Sequence, residues 1–172
     1  MSQRIASSAE EVVLQAERDI RAKLRGGRLD FTAMSAITNI YRAGTAVRTH
    51  MERTVLAEYD LSWVGFTVLW VLWIWGEQET GQVAREAGVT KGTLTGVIKT
   101  LSARRLVKRA THPEDRRRAT LKLTASGERT IETVFPEFNQ HERLAVSALS
   151  SSEQRELARL LRKVIREVHS DQ

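Results

Sequence analysis

Thr80-Gly-Gln-Val-Ala-Arg-Glu-Ala-Gly-Val-Thr-Lys-Gly-Thr-Leu-Thr-Gly-Val-Ile-Lys-Thr-Leu101 is the stretch on which the fold turns. Its first part reads as a short helix with Val83, Ala84 and Ala87 on one face. Gly88 stands where a tight turn needs positive φ, Val89 plugs that turn, and the Thr90 hydroxyl is placed to cap a second helix. The second helix carries Leu94, Val97, Ile98 and Leu101 at the i, i+3, i+4, i+7 spacing of a buried face. Its other face is Lys91, Gly92, Thr95, Gly96 and Lys99, all small or cationic. A helix that enters the DNA major groove needs such a face: short donors near base edges, cations for phosphates and no bulk to hold it off. The partial positive charge of the helix N-terminus adds to the attraction for a phosphate.

Downstream the period changes. Leu106–Ala110 and Ala119–Thr124 are short β-prone runs around a polar tip, Thr111-His-Pro-Glu-Asp-Arg-Arg-Arg118, which predicts a hairpin with a long loop. An arginine at a loop tip can enter the minor groove, where negative potential concentrates, and Asp115 is placed to orient a neighbouring guanidinium. A merely solvated loop is the plainer reading of Arg116, Arg117 and Arg118, but their position just after a groove-entering helix favours contact with DNA. Charge agrees. The chain carries +6 overall, yet residues 85–118 hold ten basic and three acidic side chains, so the rest is close to neutral.

Upstream, Ser8-Ala-Glu-Glu11 is a capping-box pattern that predicts a helix over 8–25, stopped by Gly26-Gly27. Apolar positions from Phe31 recur every three or four residues and predict a long helix to Tyr59. Leu61 to Trp75 is apolar nearly all round, as a helix at the centre of a domain should be. Two shorter helices follow, over 80–87 and 91–104. Thr124 caps another helix, with Pro136 as a kink. Ser150-Ser-Ser-Glu153 is a second capping box, opening a helix whose Leu157, Leu160, Leu161, Val164, Ile165 and Val168 form one stripe. The expected fold is mainly α with a small β-hairpin wing. Residues 60–124 would form a winged helix-turn-helix DNA-binding domain, and 1–59 with 125–172 a helical dimerisation region.

Composition sets the outer limits. The 172 residues, 41% hydrophobic and 28% charged, suit one globular domain with an added arm. No cysteine is present, which excludes disulfides, thiolate zinc sites and a cysteine nucleophile. The charge-free run 61–76 is shorter than the roughly 20 apolar residues of a membrane span. With no apolar signal-peptide core near the N-terminus, a soluble, cytoplasmic protein is expected.

The segment from Val89 to Val107, then Asp115-Arg-Arg117 and Leu121-Lys-Leu-Thr-Ala-Ser-Gly127, resembles the winged helix-turn-helix signature of the MarR family (multiple antibiotic resistance regulators). The resemblance covers roughly 31–168. It implies a cytoplasmic homodimer joined through its terminal helices, repression relieved by a small ligand, and a minor-groove role for Arg117. Arg105 departs from the pattern by standing where the family usually has glycine. The extra N-terminal helix resembles the urate-responsive branch, but that branch's ligand residues are missing: its tryptophan is absent, and Thr67 occupies what looks like its acidic position. The cysteines of oxidation-sensing members are absent too.

All four tryptophans lie within residues 63–75. Core packing is the plain reading for some of them. Trp63, Phe66 and Trp70 fall on one helical face, however, and can line a pocket for a flat ligand. Arg42, Arg48 and His50 on the preceding helix are candidate partners for a ligand carboxylate, against the plain reading of surface ion pairs. The four histidines are dispersed and predict no metal site, and no catalytic constellation or cofactor motif can be made out. Thr90, Lys91, Thr93, Thr95, Lys99, Arg116, Arg117 and Arg118 are the candidate DNA contacts. The expected function is that of a ligand-responsive, sequence-specific regulator, a repressor that acts as a homodimer on a pseudo-palindromic operator in double-stranded DNA and is released by a small aromatic or phenolic effector, in particular an aromatic anion. An architectural, effector-independent DNA binder is the alternative.

Overall fold

A computed structural model describes residues 15–24, 29–111 and 119–170. The chain divides into two compact units between Ala46 and Val47. In the first, α1 (Gln15–Lys23) carries the described part of the expected 8–25 helix. The Ser8–Glu11 box and Gly26-Gly27 lie outside the described residues. Helix α2 (Phe31–Thr54) starts where the Asp30 carboxylate accepts the N–H groups of Thr32 and Ala33, each at 2.9 Å. Within this unit, the Asn39 amide donates to Glu17 at 2.8 Å.

In the second unit α2 ends earlier than the expected Tyr59. A single 3-10 turn, Leu56–Tyr59, follows it, and Asp60 adopts left-handed φ of 51° to reverse the chain. The cause is tertiary: Met51, Val55 and Leu56 are all fully buried, and the Arg104 guanidinium donates to the carbonyls of Tyr59, at 2.8 Å, and Asp60. Helix α3 (Trp63–Trp75) then begins under two caps. Ser62 Oγ accepts the Gly65 N–H at 3.1 Å, and a Glu52 carboxylate oxygen accepts the Trp63 N–H at 2.9 Å. Val68, Leu69, Val71 and Leu72 are buried, and α3 packs against the next three helices and the central strand of the sheet.

Helices α4 (Thr80–Glu86) and α5 (Lys91–Ala103) lie within a residue of the expected bounds. Strands β2 (Val107–Thr111) and β3 (Ala119–Leu123) form the expected hairpin, in register from Val107 opposite Leu123 to Thr111 opposite Ala119. A strand that the sequence pattern did not show, β1 (Gln78–Glu79), pairs with the other side of β3, giving a three-stranded antiparallel sheet in the order β1-β3-β2. Helix α6 (Ala125–Ala145) continues through Pro136 without a break. Thr124 Oγ accepts the Gly127 N–H at 3.0 Å, and a Cβ on Gly127 would sit 1.9 Å from the Leu106 carbonyl oxygen. Only glycine permits that approach of α6 to the chain just before β2.

Helix α7 (Ser151–Ser170) starts with the expected capping box: the Ser150 N–H donates to Glu153 at 2.7 Å, and Ser150 Oγ accepts the Glu153 N–H at 3.4 Å. It has no buried residue, and Leu157, Leu160, Val164, Ile165 and Val168 are all exposed. Among the described residues no helix is long and apolar enough to cross a membrane.

Candidate nucleic-acid interface

The turn between α4 and α5 is built as its sequence suggests. Val83 and Ala84 anchor α4 in the core, Gly88 takes φ of 63°, and the Val89 N–H reaches back to the Ala84 carbonyl at 3.0 Å. Thr90 Oγ accepts the Thr93 N–H at 3.2 Å and lies 3.0 Å from the Thr93 hydroxyl, so both threonines fix the start of α5. Leu94 and Leu101 are buried beneath it, with Val97 and Ile98 packed beside them. Lys91, Gly92, Thr93, Thr95, Gly96 and Lys99 are exposed. The Thr95 hydroxyl donates to the Lys91 carbonyl at 2.8 Å, which leaves its oxygen lone pairs and its methyl group to face outward.

A groove of about 470 Å³ runs along this face, with Leu94 and Ile98 beneath Lys91, Thr95 and Lys99, and with Thr80 and Arg109 also lining it. The structure thus brings together three of the expected contacts and adds Arg109, which the sequence reading passed over. A signal for it exists. Successive side chains of a strand alternate faces, so Arg109 shares the face of buried Val107 and not that of Lys108. Three cations around short hydroxyl-bearing side chains make a surface suited to a phosphate backbone and its groove.

The hairpin is held along β3 from the side opposite β2. The Glu77 carboxylate accepts the Thr120 hydroxyl at 2.5 Å and pairs with Lys122 at 3.2 Å. The Thr120 hydrogen bond, with help from Lys122, holds the Glu77 carboxyl below the usual carboxylate range. Asp115, Arg116, Arg117 and Arg118, expected at the hairpin tip, lie outside the described residues. Arg105, at the joint between α5 and β2, takes left-handed φ of 57°. For a side chain that is not glycine this conformation costs about 1 kcal/mol.

A second cavity, of about 410 Å³, lies between α3 and α6 and gathers Trp63, Phe66 and Trp70 as expected. Phe135, Phe138, Thr67 and Glu142 complete its lining. Phe66 stacks on Phe138 with ring centroids 4.1 Å apart, and Trp63 tilts against the same ring at 5.9 Å. Two of the expected basic partners, Arg48 and His50, do not line it. Arg48 pairs with Glu52 at 3.5 Å, and His50 Nε2 lies 3.1 Å from His141 Nδ1. Arg42 belongs to the first unit. Among the described residues no group of three or more metal-ligating side chains occurs.

This fold and face define a winged helix-turn-helix protein. A MarR-family profile matches residues 61–119. An uncharacterized HTH-type transcriptional regulator of Bacillus subtilis, YwaE, is 36% identical over 157 residues, covering 90% of this chain and 92% of its own. The HTH-type transcriptional regulator MgrA of Staphylococcus aureus is 32% identical over 129 residues, covering 74% and 85%. The solved structure of Bordetella bronchiseptica BpsR, described with the regulation of its DNA binding by 6-hydroxynicotinic acid, superposes with a TM-score of 0.70 at 25% identity, covering 76% of this chain and 98% of that one. The chain belongs to the MarR family: it is a DNA-binding transcriptional regulator and not an enzyme.

Proposed function

We propose that the protein is a cytoplasmic repressor that binds a pseudo-palindromic operator as a homodimer, and that a small aromatic effector in the α3–α6 cavity weakens this binding. The observation that carries the DNA-binding part is the groove in which Lys91, Lys99 and Arg109 surround Thr95. Lys91 and Lys99 meet phosphates, Thr93 and Thr95 meet base edges, Arg117 enters the minor groove, and Arg116 and Arg118 lie along the backbone. Residues 60–124 serve DNA binding, while 1–59 and 125–172 serve dimerisation. A two-fold axis then spaces the half-sites about one helical turn apart.

The effector reading is supported by position. Helix α3 forms one wall of the aromatic cavity and also packs against α4, α5 and β3, so a ligand that wedges α3 from α6 acts on the element that seats the recognition helix. The expected anionic effector drew its partners from Arg42, Arg48 and His50. Arg48 and His50 are engaged elsewhere, so the effector's charge rests on the cavity's own lining.

Titrating the protein against one palindromic duplex selected from a random pool, and against random duplex, at several salt concentrations tests the reading. Preference for the selected site by a factor of about 10³ or more is expected of a regulator. Lys91→Ala or Lys99→Ala should weaken both duplexes alike and reduce the salt slope by about one ion per contact. A preference near one would replace the regulator with an architectural binder.

A further inference from the structure

The α3–α6 cavity is unusual in its charge. Its described lining offers five aromatic rings and a single charged group, the carboxylate of Glu142. That carboxylate accepts a hydrogen bond from the neutral Asn139 amide at 2.8 Å and has no basic side chain in ion-pair contact among the described residues. Thr67, the remaining polar residue, spends its hydroxyl proton on the Trp63 carbonyl at 2.9 Å. The lining side chains therefore present one carboxylate, the indole N–H groups of Trp63 and Trp70 as neutral donors, and ring faces that are themselves electron-rich.

We propose that the effector is a small organic monocation with a flat apolar body, an aryl-substituted ammonium, and not an aromatic carboxylate. This rests on the reading of the cavity as the effector site and adds the ligand's charge. The faces of Trp63 and Trp70 attract a cation through the ring quadrupole, and tryptophan does so best of the aromatic side chains. Glu142 supplies the counter-charge at the rim, where a head group keeps part of its hydration. An aromatic carboxylate would meet the opposite: it would give up water for ring faces that repel it, beside a like charge, with only neutral indole N–H groups to receive it. Phe135 and Phe138 accept the apolar body of either ligand, so charge alone decides between them.

Three probes of similar size separate the cases: benzyltrimethylammonium, benzyl alcohol and phenylacetate, each titrated into the full chain with tryptophan emission and DNA affinity as readouts. The cation should bind about tenfold or more tightly than phenylacetate and weaken DNA binding as it saturates. Glu142→Gln, an isosteric change at an exposed side chain, should bring the two charged probes within about threefold of each other. Phenylacetate binding as tightly as the cation, or a cation preference unchanged in E142Q, overturns the charge assignment while the cavity remains an effector site. If none of the three alters emission or DNA affinity, the effector-site reading fails, and this inference with it.

Discussion

Helices α3 and α7 are both rich in large apolar residues, and they end in opposite situations. Helix α3 is apolar on every side, and the chain covers it on nearly every side: six of its thirteen residues are buried and its first turn is capped twice. Only Ile74 and Trp75, at its end, are left half exposed. Helix α7 confines its apolar residues to one stripe, and none of its twenty residues is buried. A lone amphipathic helix of this length is marginal in water unless its stripe is packed against something. The difference separates what the fold supplies to itself from what, in the proposed homodimer, a second copy supplies.

The same substitution made in each helix puts that separation at risk. Leu69→Ala, at a fully buried site in α3, should cost about 2–5 kcal/mol of folding stability by urea unfolding, whatever the protein concentration. Leu160→Ala, at a position 46% exposed, should cost the isolated chain little and instead weaken self-association by about 1–3 kcal/mol, seen as a raised dissociation constant in sedimentation. Its apparent effect on the unfolding midpoint should shrink as protein concentration rises. If Leu160→Ala destabilises the chain as much as Leu69→Ala at every concentration, the stripe is covered within one chain, and the contrast between the helices collapses.

What could be read from the sequence follows the range of the interactions. The caps at Thr90, Thr124 and Ser150 join residues three apart, so local spacing displays them. The buried face of α5 is visible for the same reason. Strand β1 was missed because two residues paired across to Leu121 and Thr120 leave no local pattern. The tightened end of α2 depends on Arg104, more than forty residues away. At the aromatic cavity, Trp63, Phe66 and Trp70 were legible from one helix, whereas Phe135, Phe138 and Glu142 come from another and were not. The engagement of His50 by His141 is equally remote. That of Arg48 by Glu52, four residues on, was available in the sequence as a helical ion pair.

Arg105 sharpens the contrast between inward and outward demands, because both fall on one residue. Its backbone is held left-handed: its N–H donates to the Ser102 carbonyl at 2.9 Å, and its carbonyl accepts the Thr124 hydroxyl at 2.5 Å. Those contacts belong to the peptide and ask nothing of the side chain, which is exposed. Glycine would meet the inward demand better. After the greater freedom of an unfolded glycine is subtracted, Arg105→Gly should still gain up to about 0.5 kcal/mol of stability. We propose that the side chain's outward use is a phosphate contact, made from its place between α5 and the wing. The variant should therefore be more stable to urea, bind every duplex severalfold more weakly, and lose about one unit of salt slope. Greater stability with an unchanged slope would show that the side chain contacts no phosphate, and the strain would then have no return in DNA binding.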